Sequence, residues 1–335
     1  MEKYKIGIIG GSGYLGTSLA RHLEGKFSIR ILDIREPPDD LRSSFRYCDV
    51  RMFGEVMNAL KDLDLVMHVA AVQIPFINEQ MRLGYDVNFV GTQNVCEAVD
   101  KSPCVKGMIL ASSWHAIGER ELKGRIGADF EFRRDEVEDR TRVYALSKIG
   151  QECAVRYFDE MSDKIFGIIR MGTLLGEGMN EKTAAGIFIN QALKGETLTP
   201  FRHSMYRPML CLDIEDACVA FERFASLIIE KQKGSGDRGE HVFNVFYPGL
   251  ITIVELAKII QEETGKLATN IPVPQIEIVD KKQSTPFSRN QNRRTHIDIG
   301  RSQEVLGLTN LRHPRQTIHR ILKRKLESMK SRKTE

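Results

Sequence analysis

Short unbroken apolar runs alternate with stretches of helical periodicity through the first half of the chain. Lys5–Ile9, Ile29–Leu32, Leu65–Ala71 and Val105–Ala111 are runs of the first kind, the pattern of strands buried on both faces of a parallel sheet. The residues leading to Leu23, Gly54 to Lys61, about Asn78 to Val99, and Tyr144 to Met161 carry the helical pattern. Strands that alternate with helices imply βαβ units, and so predict a doubly wound α/β sheet. After Arg170 the pattern loosens. Gly172 to Asn180 reads as a glycine-bearing loop, Ala184 to Lys194 as a helix, and Pro200 to Pro208 as an irregular basic and aromatic stretch. Cys211 to Ile229 and Glu240 to Phe246 look like a return to the main sheet, joined by a charged, glycine-rich surface loop at Lys231 to Gly239. A Pro-containing segment at Ile271 to Pro274 and a polar loop at Ser284 to Arg294 precede a final helix.

At 335 residues the chain has room for about two domains, or for one large domain with an elaboration. The net charge of +4 is small, and much of it lies in a C-terminal tail, His319 to Lys333, where no aromatic residue interleaves the lysines and arginines. The tail therefore reads as a solvated helix or frayed end rather than a nucleic-acid arm. Six scattered cysteines show neither zinc-ligand nor disulfide-framework spacing, so no metal is expected and the chain reads as reduced and cytoplasmic. Strand-like residues from Ile6 leave no place for a signal peptide, and no apolar run is long enough to cross a bilayer.

Candidate chemistry begins directly after the first apolar run. Gly10-Gly11-Ser12-Gly13-Tyr14-Leu15-Gly16 stands between a strand and a helix, the context that a dinucleotide fingerprint requires. Glycines at 10, 13 and 16 allow a tight turn and let the backbone approach a pyrophosphate at the helix N-terminus, with Tyr14 and Leu15 in its first turn. The second strand ends in Asp33, placed to accept hydrogen bonds from an adenosine ribose and to repel a 2′-phosphate. That favours NAD over NADP, with Arg35 close enough to soften the preference. Further on, Tyr144 and Lys148 stand four apart in a helical segment, so phenol and ammonium share one face. Taken bare, the pair reads as an ordinary amphipathic helix with a solvated lysine. Beside a nicotinamide it becomes an acid/base pair.

The ordered set Gly10/Gly13/Gly16, Asp33, Asp49-Val50, His68-Val69-Ala70-Ala71, Asn88-x-x-Gly91-Thr92, Ser112-Ser113, Tyr144-x-x-x-Lys148 and Arg170 resembles the extended short-chain dehydrogenase/reductases, the NAD-dependent sugar epimerase/dehydratase family. The resemblance continues through Asp213 to Asp216, His241 to Asn244 and Ile251 to Gly265. It implies a Rossmann domain over residues 1–171 with returning segments at about 210–247, and a smaller, discontinuous substrate domain from 172–209 and 248–335. It also implies that Tyr144 is the acid/base, that Lys148 lowers its pKa and holds the nicotinamide ribose, and that Ser113 hydrogen-bonds the reacting oxygen. Asp49, Val50, Ala70, Ala71 and Asn88 would complete the NAD site, Asn88 by tying the active-site backbone together. A homodimer through the Asn78–Val99 and Tyr144–Met161 helices is a further implication.

Departures from the family pattern narrow the reaction. Its 4,6-dehydratases carry Asp-Glu after the residue matching Ser113, where this chain has Trp114-His115; dehydration is disfavoured. Epimerases often have an asparagine where Thr173 stands, and that asparagine helps to hold a nucleotide diphosphate. Ser112 to Gly118 and Arg170 to Thr173 are similar to uronate dehydrogenases, which implies that His115 contacts substrate and an arginine such as Arg207 pairs with its carboxylate. His115 alone equally fits a buried histidine satisfied by backbone. The leading expectation is an enzyme, a nucleotide-sugar epimerase of the UDP-hexose 4-epimerase kind or a reductase. The alternatives are a free uronic acid or sugar dehydrogenase and a non-catalytic NAD-binding sensor.

Overall fold

The computed structural model describes residues 3–231, 241–268, 270–289 and 295–331. The predicted surface loop at Lys231 to Gly239 falls almost wholly outside the described residues, as does the end of the Ser284 to Arg294 loop. Strands β1 (Lys5–Ile9), β2 (Ser28–Asp33), β3 (Phe45–Tyr47), β4 (Leu65–His68) and β5 (Gly107–Ser113) alternate with helices. A short outer strand, β6 (Gly124–Ile126), precedes β7 (Ile165–Met171) and β8 (Thr173–Leu175). Then come β9 (Pro208–Met209), β10 (Cys211–Asp213), β11 (Val242–Val245), β12 (Ile251–Thr252) and β13 (Thr295–Ile297). The main sheet has the order β11-β7-β5-β4-β1-β2-β3, parallel throughout. The order reverses between β1 and β4, which opens a crevice at the carboxyl ends of the strands where ligands of such sheets sit.

Every residue of β4, β5, β7 and β11 is buried, which is why their sequences read as continuous rather than alternating. Leu19, Leu23, Phe221 and Phe224 of the Tyr14–Leu23 and Ile214–Glu230 helices cover one face. Val95, Val99, Val155 and Phe158, from the Gly91–Lys101 and Arg142–Met161 helices, cover the other. A separate core unites the Ala184–Leu193, Ile253–Leu267 and Pro314–Ser331 helices through Ile189, Leu256, Ile260, Ile321 and Leu322. Thr252 and Glu255 close a capping box at the start of the middle helix.

Three expectations shift. The apolar run Leu65–Ala71 leaves the sheet at His68, and the strand expected from Val105 begins at Gly107 and ends on Ser112 and Ser113, so both serines belong to the strand. Asn78 to Val99 is not one helix. It breaks at Gln80, restarts at Met81, and passes through a π-helical turn, Asp86–Val90, before Gly91–Lys101. Such turns re-aim a side chain, and here the one turned inward is Asn88, with no exposed surface. Finally, part of the C-terminal segment lies against the sheet domain: β13 pairs with β6, and Leu306 and Leu308 join the core of β1 and β4.

Candidate active site

The glycine loop is built by contact as well as by conformation. Gly10 has φ +81°, and a Cβ there would lie 2.5 Å from the backbone nitrogen of Ala70. At Gly16 it would lie 2.5 Å from the carbonyl oxygen of Gly10. Gly13, by contrast, faces open space, with only the Gly10 carbonyl within reach at 3.3 Å. It begins the first helix with no side-chain cap, so the helix N-terminus is offered to an anion rather than to the protein itself. Asp33, 8% exposed, accepts from the amides of Ser12 at 3.1 Å and Arg35 at 3.0 Å, which fixes its carboxylate at the end of β2. The Arg35 guanidinium stands 4.0 Å from it and is largely exposed. The Asp49 carboxylate is already engaged by Arg51, through Nε at 2.9 Å, and Val50 is buried against Gly91. Asn88 grips both sides of Val72, accepting from its amide at 2.7 Å and donating to its carbonyl at 3.0 Å. The clamp holds the backbone just beyond Ala70 and Ala71. Gly10→Ala combines positive φ with a backbone clash and should cost about 2 kcal/mol or more. Thermal melting and NAD titration of the variant check this; an unchanged melting temperature and affinity would contradict the built geometry.

Across the crevice, the Arg142–Met161 helix presents Tyr144 and Lys148 to the end of β5. The Ser113 hydroxyl lies where it favours the phenolate of Tyr144. Burial pushes the Tyr144 phenol up to about 12, with the Ser113 bond pulling the other way. Lys148 lies 5.8 Å from the centre of the Tyr144 ring and donates to the Ala111 carbonyl at 2.9 Å. Burial draws its ammonium down to about 7, with Glu152 opposing. Both groups are desolvated in the protein alone, and the lysine's ammonium is held by a backbone carbonyl.

Of the residues expected to meet substrate, His115 and Arg207 make contacts within the protein. His115 Nδ1 lies 2.9 Å from Ser113 Oγ, and Nε2 lies 2.8 Å from Glu119 Oε1. Its ring meets that of Tyr144 edge-on, with centroids 5.6 Å apart. Arg207 does not stand free for a substrate carboxylate: it binds Glu119 through Nε at 2.9 Å and through a terminal nitrogen at 2.6 Å, with Glu138 at 3.5 Å. The Glu119 side chain is fully buried; burial alone would raise its pKa, but Arg207 and His115 outweigh that and hold the carboxyl well below the usual range. Thr173 opens β8, its amide donating to the Leu210 carbonyl at 2.6 Å.

Glu119 and Glu152 are the site residues that sequence reasoning passed over. Glu152 lies one turn beyond Lys148, and that spacing was the available signal. Wholly buried, it accepts from Ser112 Oγ at 2.6 Å and from Arg170 Nε at 2.9 Å and Nη2 at 2.8 Å. Glu119 follows His115 by four residues across the left-handed turn at Gly118, φ +85°. That turn, invisible to helical periodicity, brings the carboxylate back to the ring.

A glycine cradle, an acid on the second strand and a serine, tyrosine and lysine facing them define a dinucleotide-dependent enzyme of the Rossmann class. Residues 6–234 match the NAD dependent epimerase/dehydratase family. The chain belongs to that family, an enzyme family whose cofactor is NAD. Bovine (Bos taurus) sterol-4-alpha-carboxylate 3-dehydrogenase, decarboxylating, is 32% identical over 152 residues, 44% of this chain and 40% of its own length. The chain thus matches less than half of the length of that relative. UDP-glucose 4-epimerase of Rickettsia canadensis is 24% identical over 77% of this chain and 70% of its own. Among solved structures, MoeE5 in complex with UDP-glucuronic acid and NAD superposes with a TM-score of 0.75 at 20% identity, covering 97% of this chain and 99% of its own. The NAD complex of Thermus thermophilus UDP-glucose 4-epimerase gives 0.73 at 17%, covering 95% and 97%. At these identities the superpositions speak for the fold.

Proposed function

We propose that this chain catalyses NAD-dependent hydride transfer at a carbinol carbon of a nucleotide-linked sugar, in the manner of a UDP-hexose 4-epimerase. The observation that carries the reading is the convergence of Ser113, Tyr144 and Lys148 on one point at the carboxyl end of β5, opposite the glycine cradle. Bound NAD supplies the hydride acceptor and then the donor. The protein's part is to position the carbinol and to move its proton. Tyr144 receives that proton, Ser113 holds the reacting oxygen, and Lys148, anchored on Ala111, retains donors for a ribose. The Gly13 helix N-terminus would hold the pyrophosphate, with first-turn amides from Tyr14 and Leu15, and Asp33 would hold the adenosine ribose. Val50 and the Ala70–Ala71 backbone would wall the cofactor.

Dehydration has no support in this site, because Trp114 and His115 stand where an acid and a base would be needed. A free uronic acid substrate also loses support, since Arg207 is committed to Glu119 and Glu138. The match to the UDP-glucose 4-epimerase covers 77% of this chain, which favours a nucleotide sugar. Homodimerisation belongs to the same reading: Met81, Tyr85, Val90, Leu146, Tyr157 and Met161 leave an apolar, exposed face on the two helical segments. No helix among the described residues is long and apolar enough to cross a membrane, and six free thiols suit a cytoplasmic setting.

Incubating the protein with UDP-, GDP- and dTDP-sugars should give an interconverted UDP-hexose by NMR, with no net NADH absorbance. Net NADH from a free uronic acid would replace this reading with the dehydrogenase. Tight NAD binding without turnover of any sugar would leave the sensor. Sedimentation should show twice the 38.1 kDa chain mass.

A further inference from the structure

An ion cluster beside the end of β5 is satisfied within the protein. Arg207, on the segment between the Ala184–Leu193 helix and β9, binds Glu119 through Nε at 2.9 Å and Nη2 at 2.6 Å, and stands 3.5 Å from Glu138. Glu138 in turn accepts from Arg140 Nε at 2.7 Å. Two guanidiniums thus meet two carboxylates, and their charges cancel. Burial works against the charge of Glu119, but Arg207 and His115 outweigh it and hold the carboxyl well below its usual range, so it stays ionised at neutral pH. Arg120 and Arg133, on the same loop, are paired as well, with Asp139 at 3.7 Å and Glu136 at 3.8 Å. The cluster stands one imidazole away from the serine. His115 Nδ1 lies 2.9 Å from Ser113 Oγ, and on the other side of the ring Nε2 lies 3.5 Å from Arg207 Nη2. The side chains of His115 and Arg207 each keep 13% of their surface exposed, so both contribute to the wall of the crevice.

We propose that Glu119 sets which sugar this wall accepts: by occupying Arg207 it admits an uncharged hexosyl group and rejects one that carries a carboxylate at C6. The inference rests on the nucleotide-sugar reading given above, with Ser113 as the group that meets the reacting oxygen. A hexose bound in that way has the length to bring its exocyclic carbon past His115 to the guanidinium. A hydroxymethyl group arriving there needs only a hydrogen-bond partner, and both a carboxylate and an imidazole can serve. A carboxylate arriving there must give up its water, and among the described residues of this wall the guanidiniums are already paired. It would also stand beside Glu119 and Glu138, two charges of its own sign. To bind it, Arg207 would have to leave Glu119, whose side chain is fully buried, and one stranded charge would replace another. A bidentate arginine is what a sugar carboxylate calls for. Here the protein's own carboxylate has taken that place, and Arg207 holds it at two points.

The test compares UDP-glucose with UDP-glucuronic acid, which differ only at C6, on the NAD-loaded wild type. Selectivity, read as kcat/KM, should favour UDP-glucose by about 10²-fold or more; equal use of the two, or preference for the uronate, overturns the proposal. Glu119→Gln removes the charge and keeps the size of the side chain. It should shrink the ratio by about tenfold, chiefly through a lower KM for UDP-glucuronic acid, and Glu119→Asp should keep the wild-type ratio. A merely structural role would depress both substrates alike, so an unchanged ratio in Glu119→Gln also overturns the proposal. Should that variant fail to fold, Glu138→Gln carries the same comparison, since it too leaves Arg207 with positive charge to spare. A further measurement needs no turnover. Phenylglyoxal, which attacks unpaired guanidiniums, should mark Arg82, 86% exposed, and spare Arg207 in the folded wild type, read by peptide mass, whereas Glu119→Gln should open Arg207 to the reagent. Labelling of Arg207 as fast as Arg82 in the wild type overturns the mask. If neither UDP-sugar is turned over, the proposed function fails, and the labelling still decides whether Glu119 masks Arg207.

Discussion

Tyr144→Phe should lower the rate of hydride transfer by about 10³-fold while leaving NAD affinity within a few-fold of the wild type, the range expected when a positioned acid/base group is removed. The substitution deletes one oxygen from a ring whose packing is otherwise set. The edge contact with His115 does not use the hydroxyl, and Lys148 is held by the Ala111 carbonyl rather than by the phenol. The cofactor pocket should therefore survive. Single-turnover kinetics at saturating NAD, with NAD titration alongside, separate the two effects. A variant that keeps its rate means that the proton leaves by another route. One that loses NAD binding means that the ring shapes the pocket.

The largest stability effect should come from Glu152. Its carboxylate and the Arg170 guanidinium are both fully buried, joined at 2.8 Å, and Ser112 and the Ala128 carbonyl complete the network. Removing one partner of such a pair strands a charge in a low-dielectric interior and costs about 3–5 kcal/mol. Glu152→Gln is thus expected to lower the urea midpoint sharply. The double substitution Glu152→Leu with Arg170→Met should recover much of the loss, since no charge is left stranded. A midpoint shift corresponding to less than about 1 kcal/mol, the worth of an exposed ion pair, would contradict the burial. Arg156, 3.7 Å from Glu152, is a further cation near enough to soften the effect. Glu152 also sustains the charge on Lys148, so the same substitution should weaken the lysine's hold on a ribose.

Much of this was written in the order of residues. β1, the glycine loop and Asp33 are contiguous or nearly so, and their contacts follow from local backbone geometry. The clustering of Ser113 with Tyr144 and Lys148 was legible because a family pattern ties their spacings together. What could not be read is the part that depends on turns and long-range pairing. The π turn that aims Asn88 has no periodic signature distinct from a helix. The Glu119–Arg207 pair joins residues 88 positions apart, and the partner of a buried arginine cannot be inferred from its neighbours in sequence. The return of Leu306 and Leu308 to the sheet core was likewise hidden, since a short apolar pair after a glycine-flanked helix suits either domain.

Tyr14 occupies the first turn of the helix proposed to hold the pyrophosphate, yet its ring packs among the core of the Ala184–Leu193 and Ile253–Leu267 helices. Its hydroxyl is buried without a partner, close beside Gly176. One residue is thus a member of both halves of the molecule. Free energy gained at the cofactor cradle, about 2.7 kcal/mol at a hundredfold excess over Kd, is then shared across the boundary rather than confined to one side. Heated with NAD, the two halves should melt as a single cooperative unit, so that the cofactor acts as a folding ligand for the second core as well as for the sheet.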